Sequence, residues 1–448
     1  MGSNTYSEMT PNNFTAHAAL LVLQRNVHTG ALRQVGCLTE AGEPPCQALR
    51  GIENALGALA VSPDGETVYV GASVAIGNSH ASSVAVLDRD PVSGALTQLD
   101  GSAGCLAPPA YPGCDPARGL HDGTSALALS PDGRNLYLAG QDGYIDATYG
   151  TLAVFQRDPQ SGALAQLQGE AGCLAGDGRD GCALGRHLGR YPENMPELAI
   201  SPDGLNAYVV FQNAFGPLPS GLGVYHRDPS TGALTELPGR RGCLTARGRG
   251  GCTPARAIEE PESLTVSADG NNVYMSAFNS HAVAVFQRRP GTGALRQRPG
   301  DAGCTSGNEG PAIPGPLGGE FNVDEGCASG DIEGGDLELS RDGVYGYAPG
   351  AGRIAILARN APRIRVRIRP RHCLTATTMA AVAIRAYARL RRVTVRLDGH
   401  VIGNTRRGRL RVRVPPSSFG PRRTLTVPAV DVRGRSSRAR GSLHNCLG

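Results

Sequence analysis

The sequence predicts an all-β protein: a β-propeller of about six blades, within a range of five to seven, followed by a small β-sandwich. A phrase of more than forty residues recurs five times, with a period of 68, 71, 66 and 73 residues. The period is measured between the serines that open each Ser-Pro-Asp-Gly-like turn, namely Ser62, Ser130, Ser201, Ser267 and Ser340. Each copy consists of short β-type runs and tight turns, which is typical of propeller blades. Paired cysteines recur with the same period, and an arginine-rich segment follows the last copy.

Four strands are predicted in each copy. The first is the alternating run before the turn, as in Leu59–Val61, and the turn suits a tight reversal because Pro sets φ and Gly accepts positive φ. The second strand carries a tyrosine seven residues after the serine, as at Tyr69, and the third begins at Val84. The third strand ends in Asp-Pro-x-(Ser/Thr)-Gly-Ala-Leu, which predicts a turn into the fourth strand.

The ends of the repeat array are incomplete. Tyr6–Val35 aligns with a second, third and fourth strand, and Asp336–Leu357 aligns with a first, second and third. A propeller closes by pairing its last blade with its first, and a seven-bladed ring that has lost an N-terminal portion is the alternative to six. The propeller is therefore predicted over residues 1–361, with repeats near 6–36, 58–100, 126–168, 197–238, 263–298 and 336–358.

Twelve cysteines fall into six pairs of sequence neighbours, four of them with eight residues between the partners. Zinc sites need four converging ligands at short gaps, whereas each pair here belongs to a different repeat, so disulfides are favoured. Disulfides predict an oxidising compartment. The predicted bridges are Cys37–Cys46, Cys105–Cys114, Cys173–Cys182, Cys243–Cys252, Cys304–Cys327 and Cys373–Cys446.

The N-terminal stretch MGSNTYSEMTPNNF lacks the basic and apolar regions of a signal peptide. No run approaches the roughly 18 apolar residues of a membrane span. Because the cysteine pairs nevertheless predict export, we expect a secreted or extracellular protein whose signal peptide is missing from the N-terminus of this sequence.

Charge is distributed unevenly along the chain. From Arg363 to Gly448, 21 arginines stand against Asp398 and Asp431, which makes a net charge of +19. Since the whole chain carries +5, the other 362 residues carry −14. The change of sign falls where the repeats stop, and it predicts a second domain over residues 362–448.

Strict alternation in Arg363–Arg371 and Arg409–Val414 predicts strands with arginine on one outward face, and Val393–Gly403 predicts a hairpin with Asp398-Gly399 at its turn. The segment resembles small immunoglobulin-like domains of actinobacterial secreted proteins, here closed by Cys373–Cys446. An anionic envelope polymer is one partner that exposed arginines would attract, and an ordinary solvated surface is the alternative. Aromatic residues for base stacking are nearly absent, which disfavours nucleic acid.

The phrase SPDGxxVYV followed by VAVFxRDPxTGALTQL resembles the lactonase-type propellers with YVTN-like repeats, from Tyr6 to about Arg359. Members of that group include 6-phosphogluconolactonase and muconate-lactonising enzymes, which are seven-bladed, and many secreted propellers without an established activity. The matching positions are structural turns and strands, so the resemblance assigns no catalytic residue. The cysteine pairs place the chain with the secreted members.

One acidic residue stands seven to nine positions before the repeat serine in each loop that enters a first strand. Because first strands line the channel of a propeller, five carboxylates could gather at its mouth. Such a site would suit a cation such as Ca²⁺ or a polyhydroxylated ligand, and ordinary solvated loop carboxylates are the alternative. The five residues are Glu53, Asp122, Glu193, Glu259 (followed by Glu260) and Glu333.

Two histidines recur in the loops between second and third strands, His80 in Asn-Ser-His and His281 in the same phrase. An imidazole beside these carboxylates could act as a general base in ester or lactone hydrolysis. Catalytic residues rarely come in copies, however, so inheritance with the repeat is the favoured explanation. His121, His187 and His226 belong to no pattern. The chain contains no G-x-S-x-G, no H-E-x-x-H and no phosphate-binding loop.

The sequence therefore favours a secreted binding or scaffold protein whose propeller face takes a small ligand, a glycan or another protein. The alternative is a lactonase-like hydrolase that acts at the channel mouth, and a third interpretation is structural adhesion through the basic domain. A convergence of histidine and carboxylates at the mouth would favour the enzyme.

Overall fold

The computed structural model describes most of the chain. The described residues are 2–10, 13–53, 56–77, 79–121, 123–141, 150–188, 197–212, 220–307, 327–329, 332, 335–340, 345–350, 353–358, 363–369, 378–385, 390–407, 409–414, 422–431 and 436–444. They form 38 β-strands and six short 3-10 helices, so the predicted all-β class is confirmed.

The first sheet has four strands in chain order, and we call it blade 1. Its strands are β1 (Gly2–Thr10), β2 (Asn13–Arg25), β3 (Leu32–Thr39) and β4 (Gln47–Ala48). The next two sheets have six strands each. Blade 2 contains β5 (Leu56–Val61), β6 (Thr67–Ile76), β7 (Ser79–Arg89), β8 (Leu96–Gln98), β9 (Cys105–Ala107) and β10 (Asp115–Pro116). Blade 3 contains β11 (Gly123–Leu129), β12 (Asn135–Gln141), β13 (Thr151–Arg157), β14 (Leu164–Gln166), β15 (Cys173–Ala175) and β16 (Ala183–Leu184).

Two more six-stranded sheets and a three-stranded sheet follow. Blade 4 contains β17 (Leu198–Ile200), β18 (Asn206–Phe211), β19 (Gly221–Arg227), β20 (Leu234–Glu236), β21 (Cys243–Ala246) and β22 (Thr253–Ala255). Blade 5 contains β23 (Pro261–Val266), β24 (Asn272–Ala277), β25 (Ala282–Arg288), β26 (Leu295–Gln297), β27 (Cys304–Ser306) and β28 (Ala328–Ser329). Blade 6 contains β29 (Glu338–Leu339), β30 (Tyr345–Gly350) and β31 (Arg353–Ala358).

The fourth strand of each complete blade is interrupted, which the sequence did not predict. In blade 2, β8 pairs with the end of β7 near Arg89, whereas β9 pairs with β7 near Val84. A 3-10 helix preceded by Gly101, whose φ is +63°, separates the two pieces. The chain then returns through the disulfide loop, and β10 runs parallel to β9 as a further strand. The 3-10 helices are Ser102–Gly104, Gly169–Gly172, Arg179–Gly181, Gly239–Gly242, Arg249–Gly251 and Gly300–Ala302.

The turn chemistry of the repeat agrees with the prediction. In blade 3 the N–H of Gly133 donates to the Ser130 carbonyl at 2.8 Å, and Gly133 has a φ of +68°. The Ser130 hydroxyl oxygen accepts the N–H of Asn135 at 3.0 Å and so holds the two strands of the hairpin together. At the next turn the Asp158 carboxylate accepts the N–H groups of Gln160 and Ser161, which is an Asx turn.

Hydrophobic clusters lie between consecutive blades. One cluster joins Leu222 and Val224 of blade 4 to Met275 and Phe286 of blade 5, all of them fully buried. Equivalent clusters join blades 1 and 2, blades 2 and 3, and blades 3 and 4. The blades therefore pack face to face, and burial of both faces explains the nearly continuous apolar runs of the third strands. This arrangement is the predicted β-propeller.

The first strands of neighbouring blades contact one another. Strand β11 packs beside both β5 and β17, and β17 packs beside β23. These strands are also the terminal members of their sheets on one side. They therefore form the wall of the central channel, as the propeller fold requires.

Five of the six predicted disulfides lie in the described part of the chain, and all five are formed between the predicted partners. The sixth, Cys373–Cys446, falls outside the described residues. Among the described residues there is no helix that is both long and apolar enough to cross a membrane.

The chain divides into two compact units, residues 1–338 with 348–355 and residues 339–347 with 356–448. The second unit contains two antiparallel sheets of the kind that form a β-sandwich. One sheet has the order β32 (Arg363–Arg369), β33 (Thr378–Arg385), β36 (Arg409–Val414). The other has the order β35 (His400–Thr405), β34 (Leu390–Leu397), β37 (Arg422–Asp431), β38 (Ser436–His444). The predicted hairpin is confirmed, because Asp398 and Gly399 join β34 to β35 with positive φ angles of 47° and 89°.

Candidate functional site

Glu53 lies against the hairpin of its own blade. Its carboxylate accepts the N–H of Ala75 at 2.6 Å and the hydroxyl of Tyr111 at 2.7 Å. Burial, together with this hydrogen bond and the Glu53 charge, raises the pKa of Tyr111 to about 12. Ala75 pairs with His80 across β6 and β7, so Glu53 contacts the hairpin that carries the predicted histidine of blade 2. Both carboxylate oxygens of Glu53 are therefore engaged in structural hydrogen bonds.

Glu259 has an equivalent position in blade 5. Its N–H donates to the Ser280 hydroxyl at 3.0 Å, which fixes the acidic loop against the hairpin that carries His281. His281 has a φ of +44°, and its ring lies 5.9 Å from the Phe278 ring. Glu53 and Glu259 thus each contact the hairpin that carries the histidine of the same blade. Asp122, Glu193 and Glu333 lie outside the described residues, so the ring of five carboxylates stays a prediction.

A different carboxylate occupies the channel wall. Glu197 immediately precedes β17, and its carbonyl accepts the N–H of Val210 from the neighbouring strand at 2.9 Å. The side chain is half-buried. Burial is the main reason that the pKa of Glu197 is raised to about 7, and the negative charge of Asp336, with a smaller contribution from Glu338, raises it further.

Asp336 is positioned by blade 5. The N–H of the preceding Gly335 donates to the Glu262 carboxylate on β23, and the N–H of the following Leu337 donates to the Ser263 hydroxyl at 3.0 Å. Burial and the Asp336 charge raise the pKa of Glu262, although the Gly335 N–H partly opposes the shift. The Glu262 and Asp336 carboxylates therefore interact electrostatically beside the first strand of blade 5.

Carboxylates from three blades thus interact in one place. Glu197 belongs to blade 4, Glu262 to blade 5, and Asp336 and Glu338 to blade 6. Glu197 and Asp336 belong to blades that are not consecutive, and their charges interact near the first strands that form the channel wall. We call Glu197, Glu262, Asp336 and Glu338 the channel carboxylates.

This arrangement can do two kinds of chemistry. A carboxyl group whose pKa lies near neutrality exchanges a proton readily at physiological pH, which is the property of a general acid or base. Several carboxylates in one cleft also offer the oxygen ligands that Mg²⁺ and Ca²⁺ prefer. A perturbed carboxyl in a channel is a site candidate on physical grounds.

The channel carboxylates were not predicted from the sequence, because they stand closer to the repeat serine than the five acidic residues of the loops. Glu197 and Asp336 each stand four residues before it, and Glu262 stands five before it. At the same offsets blades 2 and 3 carry Gly57, Ala58, Ser125 and Ala126. A carboxylate four or five residues before the serine occurs in blades 4 to 6 and not in blades 2 and 3, and this difference in the sequence could have indicated the site.

Comparisons with known proteins do not assign this chain to a family. No family model matches the chain, and no curated protein matches it. Among solved structures it is similar to a periplasmic gluconolactonase of Pseudomonas aeruginosa, with 18% identity over 98% of this chain and 94% of that one and a TM-score of 0.44. It is also similar to a candidate 6-phosphogluconolactonase of Bacteroides uniformis, with 16% identity over 99% of this chain and 96% of that one and a TM-score of 0.44.

Proposed function

We propose that this protein is an exported hydrolase that opens an uncharged lactone in the propeller channel, with Glu197 as the group that transfers the proton. The observation that carries the proposal is the raised pKa of Glu197, about 7, at the channel wall beside Asp336 and Glu338. A base with a pKa near the working pH combines a large ionised fraction with a useful driving force for proton transfer.

The chemistry needs one proton relay. Ionised Glu197 accepts a proton from a water molecule as that water attacks the lactone carbonyl. The ring C–O bond then breaks, and protonated Glu197 returns the proton to the departing alkoxide oxygen. The product is an open hydroxy acid, and its new carboxylate is repelled by the channel carboxylates, which favours release.

The charge of the channel selects the substrate class. Glu262, Asp336 and Glu338 would repel a phosphorylated sugar lactone, whereas an uncharged polyhydroxylated lactone could donate hydrogen bonds to them. The net charge of −14 on the residues before Arg363 acts in the same direction. We therefore propose a neutral aldonolactone rather than a lactone phosphate.

A cation-dependent binding protein is the second candidate. It is favoured by the mutual repulsion of Glu197, Asp336 and Glu338, which a Ca²⁺ ion would relieve. In that case millimolar Ca²⁺ would raise the melting temperature by mass action, and no lactone would be hydrolysed.

Export is proposed from the disulfides. Five formed bridges favour an oxidising compartment, either the periplasm or the exterior of the cell. The envelope polymer proposed as the partner of the arginine-rich unit would be available in both.

Substitution of Glu197 tests the proposal. Glu197→Gln keeps the size of the side chain and removes the base, so we expect kcat for glucono-1,5-lactone to fall by about 10²-fold or more. The matched control is Glu170→Gln, because Glu170 is exposed on the 3-10 helix Gly169–Gly172 of blade 3. Rates are measured after subtraction of spontaneous hydrolysis.

The same assay uses the 6-phosphate of that lactone. We expect it to be hydrolysed more slowly than the uncharged lactone. An unchanged rate in Glu197→Gln, or a preference for the phosphate, would reject the proposal.

A further inference from the structure

Blade 4 departs from the repeat at a glutamine. In blade 3 the Gln166 side chain accepts the N–H of Arg118 at 2.9 Å and donates to the carbonyls of Arg118 and Gly172. Gln98 and Gln297 make the same contacts in blades 2 and 5. The corresponding residue of blade 4 is Glu236, whose side chain is 7% exposed. In blade 4 a buried carboxylate thus replaces the neutral amide that makes three hydrogen bonds in each of blades 2, 3 and 5.

The same blade departs at a second position. Gly51 and Gly119 lie over the disulfides of blades 2 and 3, and a Cβ at either glycine would come 3.0 Å or 3.1 Å from the Cβ of the nearer cysteine. Ala257 packs with Cys304 at the corresponding place in blade 5. Blade 4 has His187 there. A small residue is therefore the rule over these disulfides, and one blade carries an imidazole instead.

The two exceptional residues contact each other and the disulfide. His187 Nδ1 lies 2.7 Å from Glu236 Oε1, and His187 Nε2 lies 3.2 Å from Cys243 Sγ. Arg186 also donates to Glu236 Oε1, at 3.1 Å. Within the part of the chain that the structure describes, Glu236 Oε2 is buried and has no hydrogen-bond partner. Two changes that meet in one contact indicate a specialised site.

We propose that the dithiol form of this loop binds a zinc ion through His187 Nε2, Cys243 Sγ and Cys252 Sγ. The three ligand atoms already lie within 4.8 Å of one another. Tetrahedral zinc, with Zn–S near 2.3 Å and Zn–N near 2.0–2.1 Å, needs separations of about 3.8 Å between sulfurs and about 3.6 Å between nitrogen and sulfur. Opening the S–S bond and moving the ring slightly therefore reaches the required geometry.

Glu236 has a defined part in this site. Histidines that bind metal commonly donate their other ring N–H to a carboxylate, which fixes the tautomer and orients the ring. The 2.7 Å contact of Nδ1 with Glu236 leaves Nε2 turned toward the sulfurs. Glu236 is thus a positioning residue, and an exogenous ligand such as water would fill the fourth place.

In the oxidising compartment proposed above the disulfide form prevails, so the zinc site forms only where a reductant opens the Cys243–Cys252 bond. A dithiol reductant transfers two electrons and two protons, so that its own thiols become a disulfide while Cys243 and Cys252 become thiols. Zinc then binds the two thiolates and releases two protons. The soft thiolates and the imidazole select zinc, whereas the channel carboxylates suit harder cations.

Cobalt spectroscopy tests the proposal on the full chain. The protein is reduced with a water-soluble phosphine, which becomes the phosphine oxide, and is freed of reductant without air. It is then titrated with Co²⁺, whose thiolate charge-transfer and tetrahedral d–d bands report the ligands. We expect one tightly bound Co²⁺ per chain, displaced by Zn²⁺.

Matched variants distinguish blade 4 from the others. Replacement of both Cys243 and Cys252 by Ser should abolish the tight site, whereas replacement of both Cys173 and Cys182 should preserve it. His187→Gly and Glu236→Gln insert the residues that the repeat itself uses, so both should fold. We expect affinity to fall at least about tenfold in each, since loss of a supporting partner alone typically costs 10- to 100-fold.

Three outcomes would overturn the proposal. The first is that the reduced wild-type chain binds no Co²⁺ tightly. The second is that the Cys173/Cys182 variant loses the site as completely as the Cys243/Cys252 variant. The third is that His187→Gly binds Co²⁺ as the wild type does.

Discussion

At the scale of single residues, a buried arginine joins each pair of complete blades. Arg227 is fully buried, and its Nε donates to the Tyr137 hydroxyl at 2.6 Å while Nη2 contacts the Asp132 carboxylate and the Asn135 side chain. Tyr137 in turn donates to the Gly232 carbonyl at 2.8 Å. Arg157 and Arg288 repeat the arrangement between blades 2 and 3 and between blades 4 and 5.

The energetics of this contact follow from burial. Burial raises the pKa of Tyr137 to about 12, although the Arg227 charge opposes the shift, so the hydroxyl stays protonated and donates. Partial burial opposes ionisation of Asp132, but hydrogen bonds from Ser130 and Arg134 and the Arg227 guanidinium lower its pKa below 3.8. The sequence shows a periodic arginine at the end of the third strand, but the partners belong to the preceding repeat. Its burial could therefore not be deduced from the repeat alone.

Arg227→Ala tests the contact. We expect the free energy of unfolding to fall by about 3 kcal/mol at pH 7, because the change leaves Asp132, Tyr137 and Asn135 without their partner. Since the pKa of Asp132 is lowered in the fold, the ion-pair part of this loss is present above pH 3.8 and disappears as pH falls below it. Urea unfolding at several pH values measures both effects. The control is Arg134→Ala, at an exposed side chain next to the same turn. An equal loss of stability in the control would mean that the buried contact of Arg227 is not the cause.

At the scale of elements, local chemistry was predictable and non-local pairing was not. The Ser-Pro-Asp-Gly turns and the Asp398-Gly399 hairpin depend on residues within a few positions of each other, and both were predicted correctly. The fourth strand is split at Gly101, which precedes the 3-10 helix. The Cys105–Cys114 bridge closes the loop that brings β10 back to pair with β9. Nothing in a four-strand template anticipates a parallel strand of two residues.

The strands of the arginine-rich unit present charge to solvent. On β34, Arg396 is exposed between buried Val395 and Leu397, and on β36 Arg411 is exposed beside buried Val412. The side chains of β32, where the alternation is strictest, lie outside the described residues. The outward arginine face thus has support from two strands, and its anionic partner stays a proposal.

Heparin chromatography tests that proposal at the level of these strands. Replacement of Arg391, Arg396 and Arg411 by Ser should lower the salt concentration at which the chain elutes, because the attraction is electrostatic and screened by salt. The control replaces three exposed arginines of the first unit, namely Arg33, Arg134 and Arg241. Equal shifts in the two variants would mean that no particular surface binds the polymer.

At the scale of the whole molecule, the repeat period was enough to predict the blades. It did not predict how far each residue lies from the channel axis. Residues seven to nine positions before the repeat serine, such as Glu53, are held in loops beside their own hairpins. Residues four or five positions before it, such as Glu197 and Glu262, stand at the channel wall. The period locates a residue along the chain, whereas its radial position depends on where the first strand begins. The channel carboxylates therefore required the structure.

The pH dependence of lactone hydrolysis shows whether Glu197 is the base. Because Glu197 must be ionised to accept a proton and its pKa is about 7, kcat for glucono-1,5-lactone should rise with pH through an inflection near 7. Asp336→Asn removes a neighbouring negative charge and should move the inflection to lower pH, and Glu197→Gln should abolish it. A rate that does not change between pH 5 and about 8, or an inflection that persists in Glu197→Gln, would contradict the assignment of Glu197 as the base.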